Sequence, residues 1–177
     1  VLEELAGRRH RTGESMDRSA GLVTDNAPIY GDALPEGGAL LELDLGTKTI
    51  GVATCDAGWR YATAGKTITR SKFTKDCGAL RTIVTERKIA GVVIGLPRNM
   101  DGTEGPRAQA SRAYARNLAQ TLHLPVLLWD ERWSTSSAEA AMIGQDMSRA
   151  KRATKIDSHA AAIILQGAID ALAGGGL

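Results

Sequence analysis

The sequence predicts an α/β protein built on a mixed five-stranded sheet, three antiparallel strands and then a βαβα run, with helices on both faces. Three observations lead there. Leu41, Leu43 and Leu45 alternate with Glu42 and Asp44, the two-residue period of a strand. Residues 92–96 and 125–129 are short apolar runs of the kind found in strands buried on both faces. Each of those runs follows a stretch with helical spacing, the alternation of an α/β fold. At 177 residues the chain has the length of one domain and can bury roughly 70% of its unfolded surface.

Residues 1–39 show neither period, and 26–38 hold two prolines and three glycines. They are read as a poorly ordered extension ahead of a domain at 40–177. The first strand covers 40–45 and turns Asp44 away from its leucine neighbours. The second, at 50–55, ends at Asp56-Ala57-Gly58, and 61–69 supplies a third, completing an antiparallel meander. Phe73, Cys77, Leu80, Ile83 and Val84 give a helix over 73–88 that leads into the strand at 92–96. Pro106 occupies a favoured helix-start position, and Tyr114, Leu118 and Leu122 share one face of a helix ending at 122. The strand at 125–129 follows. Ser136 with Glu139 resembles a capping box for a helix through 142, and a final helix spans 156–172.

Composition removes several function classes. No apolar run approaches the ~20 residues of a membrane span. Residues 1–18 mix acids and bases without an apolar stretch, so no secretory signal is expected and the compartment is read as the cytoplasm. Cys55 and Cys77 lack any metal-ligand or CxxC spacing and are read as free thiols. His10, His123 and His159 have no ligand-like spacing, and neither a catalytic serine or cysteine arrangement nor a P-loop occurs. Aromatic residues, 4% of the chain, are too few for a base-stacking platform. Charge divides unevenly: residues 1–39 carry −3 and residues 40–177 carry +5, a balance that suits a polyanion partner.

Acids at the ends of sheet strands converge on a ligand, and three stand at such places: Asp44, the Asp130-Glu131 pair after the last strand, and Asp157 in the first turn of the last helix. Hard divalent cations take oxygen ligands, and carboxylates holding two of them suffice for in-line phosphoryl displacement. Each acid alone has a plainer reading: a salt bridge for Asp44, a surface loop for Asp130-Glu131, helix-dipole complementation for Asp157. The loop 97–106 either offers glycine N–H groups to phosphate or is a stiff connector. Arg112 belongs to a polar helix stripe with Gln109, Arg116 and Gln120, while Arg149, Lys151, Arg152 and Lys155 crowd the approach to Asp157. Those four, with Arg98, Arg107, Arg112 and Arg132, are the candidate nucleic-acid contacts.

Four motifs, LDLGTKTIGVA at 43–53, VVIGLPRNMDGTEGPRAQ at 92–109, PVLLWDERWST at 125–135 and KIDSHAAAIILQGAID at 155–170, together resemble the YqgF (RuvX) family of bacterial nucleases over residues 40–172. The resemblance implies a ribonuclease H-like fold related to the RuvC resolvases. It also implies metal-binding acids at Asp44, Glu131 and Asp157, Mg²⁺ or Mn²⁺ as cofactor, and hydrolysis of phosphodiesters. Processing of the 5′ end of pre-16S ribosomal RNA is the leading substrate and a Holliday junction the second, with a monomer or homodimer as the assembly and no membrane. RuvC relatives carry a further acid on the fourth strand, where 92–96 has none, so Glu131 must stand in for it. Two readings from other classes remain beside this one: a metal-independent RNA- or ribosome-binding module, and a sugar-kinase or actin-like nucleotide domain, for which the chain is short of a second lobe.

Overall fold

The computed structural model describes residues 19–35, 38–133 and 149–174. Its strands are β1 (Val23–Thr24), β2 (Ala39–Leu45), β3 (Thr49–Cys55), β4 (Ala62–Ala64), β5 (Ile68–Thr69), β6 (Ile89–Leu96) and β7 (Val126–Asp130). The helices are α1 (Ala27–Ala33), α2 (Phe73–Arg87), α3 (Pro106–Leu122) and α4 (Arg149–Ala173), with a 3-10 turn at Glu131–Trp133 after β7. One sheet runs in the order β1-β7-β6-β2-β3-β4, and β5 also pairs with β3. β1, β7, β6 and β2 are mutually parallel, and β3 is antiparallel to β2.

The alternation along β2 divides its side chains between two cores. Leu41, Leu43 and Leu45 join Val92, Ile94, Val126 and Leu128 under α2 and α3. Leu40, Val93 and Leu127 meet Ala161, Ile164, Leu165, Ala168 and Ile169 of α4 on the opposite face. Glu42 and Asp44 belong to the α4 face by parity, so the acidic side of the strand is covered by a helix rather than by water. Helix ends follow local chemistry. Pro106 opens α3, while α2 and α3 close on left-handed residues, Lys88 at φ 52° and His123 at φ 54°. Asp76, buried in the first turn of α2, accepts the Ser71 backbone N–H where the N-cap Lys72 offers no side-chain cap.

The sheet has seven strands rather than five for two reasons. The third expected strand is broken at Gly65, whose N–H donates to the Val52 carbonyl at 2.7 Å, so β4 and β5 pair with β3 separately. β1 adds the remaining strand from a segment expected to be poorly ordered, and its two residues are too few to show a period. The same segment forms α1, started by Asn26, whose side chain accepts the Ile29 N–H, with Pro28 in the first turn. Tyr30 of α1 is fully buried over Gly91 of β6. Over residues 19–35 the chain is therefore ordered and packed on the sheet, and only 1–18 and 36–37 of the expected extension fall outside the described residues. α4 is already helical from Arg149, ahead of the expected start at residue 156; its basic lead has good helix formers but no apolar stripe to mark it in the sequence. The expected helix around Ser136 and Glu139 lies outside the described residues. Among the described residues no helix is long and apolar enough to cross a membrane. Cys55 and Cys77 are free, as expected, and both are buried.

Candidate active site

Three parallel strands end at one edge of the sheet, and their register builds the site. Leu43 of β2 stands beside Ile94 of β6, and Gly95 beside Trp129 of β7. Asp44 and Gly95 thus share the α4 face at the same level, and Glu131 lies just past the end of β7. β7 and β2 are not neighbours; β6 separates them by about 10 Å in all, two interstrand spacings. Glu131 spans that distance by lying across Gly95, where an added Cβ would stand 2.9 Å from its Cγ and 3.1 Å from its Cδ. Any side chain at 95 would block the crossing. The glycine inside a buried strand is there for close approach.

The crossing brings the Glu131 carboxyl onto Asp44, with a hydrogen bond between them. Desolvation, the Asp44 charge and that hydrogen bond push Glu131 up to about 7, and the Arg107 guanidinium opposes the shift. The pair thus holds a proton to higher pH than an isolated carboxyl group would. Two residues inward on the same strand face, Glu42 is fully buried, and neither of its carboxylate oxygens has a hydrogen bond of good geometry. Burial first, then the charges of Asp44 and Glu131, raise its pKa well above the usual carboxylate range, and the nearby Gly95 amide offsets only part of this. Asp44 is partly exposed, and Glu42 is the acid of this strand that is sealed in.

Asp130 has another role. It is buried at 6% exposure, and hydrogen bonds from Arg132, including 2.6 Å from Nη2, hold its carboxyl below the usual range. Arg98 reaches Asp25, Glu104 and Asp130 at 3.4, 3.8 and 3.8 Å. Arg112 forms a two-pronged pair with Glu104 and approaches Asp25 at 3.9 Å. Of the predicted nucleic-acid contacts, Arg98, Arg112 and Arg132 are therefore occupied by carboxylates, tying the 97–105 loop to the β1–α1 connection. The loop is also closed on itself. The Asn99 N–H donates to the Thr103 carbonyl and the Gly102 N–H to the Asn99 carbonyl, both at 2.9 Å, and Gly102 takes φ 87°. The Asn99, Gly102 and Thr103 amides are spent internally, which favours the stiff-connector reading of this part of the loop.

Arg107, at the start of α3, is exposed and acts electrostatically on Glu131. Asp157 lies in α4 four residues before Ala161, the first residue of the stripe seated on the sheet; its side chain, and those of Arg149, Lys151, Arg152 and Lys155, fall outside the described residues. Among the described residues no three acidic, cysteine or histidine side chains close on one point. Asp44 and Glu131 are the described part of the predicted carboxylate set. Sequence reading missed Gly95 and Glu42. A lone glycine inside an apolar strand was a usable signal for the first; nothing local distinguishes Glu42 from a solvent-facing residue of an alternating strand.

Comparison with known proteins agrees with this architecture. A family model described as "RuvX: Holliday junction resolvase" matches residues 38–171. A protein of Novosphingobium aromaticivorans named "Putative pre-16S rRNA nuclease" is 65% identical over 86% of this chain and 98% of its own length. One of Sphingopyxis alaskensis with the same name is 60% identical over 85% and 99%. The solved structure of Thermus thermophilus RuvC in complex with a Holliday junction substrate superposes with a TM-score of 0.51 at 13% identity, covering 78% of this chain and 98% of that one, a likeness of fold: the ribonuclease H-like fold expected from the motifs. With a family match over nearly all the described sheet and relatives at such identity, this chain belongs to the RuvX family.

Proposed function

We propose that this nuclease is metal-dependent and acts on the precursor of 16S ribosomal RNA, with Asp44, Glu131 and Asp157 as the acids that hold the cation. The observation that carries the reading is Glu131 laid over Gly95 onto Asp44. Two carboxylates pressed together retain a proton between them in the absence of a cation, and a divalent cation would displace it and relieve the repulsion. The donor set is oxygen only, which suits Mg²⁺ or Mn²⁺. A bound cation would generate the nucleophile from water and neutralise charge on the phosphoryl oxygens. The chain's own residues do the rest. Asp44, fixed on a central strand, is the rigid ligand; Glu131 completes the pair from the end of β7, across β6, and Asp157 adds a third carboxylate from α4. Arg107 and the basic run Arg149, Lys151, Arg152 and Lys155 hold backbone phosphates, which fix register without reading sequence. The RNA substrate follows the name carried by the two relatives.

The test is a cleavage assay with Mg²⁺ or Mn²⁺ on pre-16S RNA and, because the family model's description names it, on a four-way DNA junction. Cleavage of the RNA that needs the cation and is lost in Asp44→Asn, with RNA binding retained, is the expected result. Cation-independent binding without cleavage would replace this reading with an RNA-binding module. Preferential paired cutting of the junction by a two-fold dimer would favour the resolvase reading.

A further inference from the structure

Beyond the end of β2, on the α3 side of the sheet edge, lies a pocket of about 130 Å³ lined by Leu45, Gly46, Thr47, Arg70, Arg107, Ala110 and Ser111. Two of its walls are guanidinium groups, and among the described residues neither is in a salt bridge with a carboxylate, whereas Arg98, Arg112 and Arg132 all are. Arg70 is held in place rather than left to wander: its Nη1 donates to the Gly46 carbonyl at 2.6 Å, and its guanidinium carbon stands 5.4 Å from the centre of the Tyr114 ring. The Arg70 N–H itself donates to the Lys48 carbonyl at 2.8 Å, fixing the backbone that carries the side chain to the β2–β3 turn. Arg107 serves both places, lining this pocket and acting on Glu131. Asp44 is one residue from Leu45 in the pocket wall. An anion here would lie at the same sheet edge as the Asp44–Glu131 pair, on the opposite face of the strand end, without sharing its carboxylates.

We propose that this pocket binds a backbone phosphate of the nucleic-acid strand adjacent to the phosphodiester being cleaved, with Arg70 as its anchor. The proposal rests on the nuclease reading above and adds to it a binding residue far from every motif of the chain. A pre-positioned guanidinium loses little freedom on meeting a phosphate and presents paired donors to it, which an unrestrained surface lysine does not. The pocket would fix how far the strand runs past the cut and so set its register on the carboxylate pair.

The test measures binding of a short fluorescent single-stranded RNA without divalent cation, as a function of salt, alongside cation-dependent cleavage. Arg70→Ala is expected to bind about tenfold more weakly, the loss of one charge-assisted contact. Its slope of log K against log[salt] should be shallower by about 0.7, one single-strand phosphate contact. In cleavage KM should rise with kcat little changed. Because Arg70 also braces Gly46, a second variant leaves it untouched: Ala110→Glu puts a carboxylate at the exposed pocket wall and should weaken binding, whereas Ala110→Gln should not. Arg87→Ala, at the opposite edge of the sheet, controls for loss of charge alone. An unchanged slope in Arg70→Ala, or equal binding by Ala110→Glu and Ala110→Gln, overturns the pocket assignment while wild-type cleavage leaves the nuclease reading standing. A wild-type protein that neither binds nor cuts RNA overturns both.

Discussion

Gly95→Ala isolates the geometry on which the site depends. The new Cβ would sit 2.9 Å from Glu131 Cγ and 3.1 Å from Cδ. Carbon atoms pack at about 3.5–4.0 Å, so the Glu131 side chain must retreat by roughly 0.5–1 Å or leave the crossing altogether. A misplacement of about 1 Å at a reacting centre is worth about 10²-fold in rate, and cleavage with Mn²⁺ should fall by that order. Folding responds differently. Gly95 lies in extended backbone that alanine adopts freely, and exchanging an interior strand glycine for alanine gains about 0.5–1 kcal/mol. Overpacking costs about 1–3 kcal/mol, but here the displaced group is one carboxylate of a repelling pair, which returns part of that cost. The metal-free protein should thus melt within a few degrees of wild type, while Mn²⁺ stabilises it much less. Single-turnover cleavage, calorimetric Mn²⁺ titration and thermal melts on one preparation read all three quantities. Cleavage within about twofold of wild type would show that Glu131 does not need the crossing, and the site as drawn would be wrong.

Glu131→Gln should flatten the dependence of metal-free stability on pH. Its folded pKa is raised to about 7, so the stability linked to it is present below the usual carboxylate range and drains away as pH climbs toward 7; the wild type should lose up to about 3 kcal/mol relative to the variant across that window in urea melts. Glu42→Gln has the same sign, also raised: no gain near pH 4 and a higher melting temperature at pH 8, and a lower one at pH 8 would mean that its buried carboxylate has a partner. Tyr30→Ala should cost about 3–5 kcal/mol, as for other buried aromatic rings, and a loss below about 1 kcal/mol would return α1 to the status of a dispensable extension.

The fold was legible wherever a period had room to repeat. β2, with seven residues, shows its alternation, and α3 announces both its start at Pro106 and its apolar face. β1 has two residues and α1 seven, too short for either period to rise above composition, and the prolines that suggested disorder include one that starts a helix. What holds this segment is tertiary: the Val126 N–H donates to the Leu22 carbonyl at 2.8 Å, and Tyr30 fills the space left by Gly91. No local pattern encodes either contact.

The candidate site divides along the same line. Asp44 and Glu131 could be read from the sequence because strand ends are where an α/β sheet presents polar groups, and both acids stand at strand ends. Their distance could not, because it depends on strand order: β6 separates β7 from β2, and Glu131 reaches Asp44 only over a residue that contributes no side chain. Arginine roles were illegible for a related reason. Arg98 and its partner Asp25 stand 73 residues apart, so a basic loop in the sequence becomes a neutralised one in the fold. Arg70, unremarkable at the end of a short strand, meets a carbonyl and an aromatic face, and among the described residues no carboxylate pairs with it. Among the described residues, ion pairing thus removes positive charge from the 97–105 loop and leaves it at Arg70 and Arg107, which line one pocket at the end of the strand that carries Asp44. Net charge alone gave the sign of the partner; which cations remain unpaired decides where a phosphate backbone can lie.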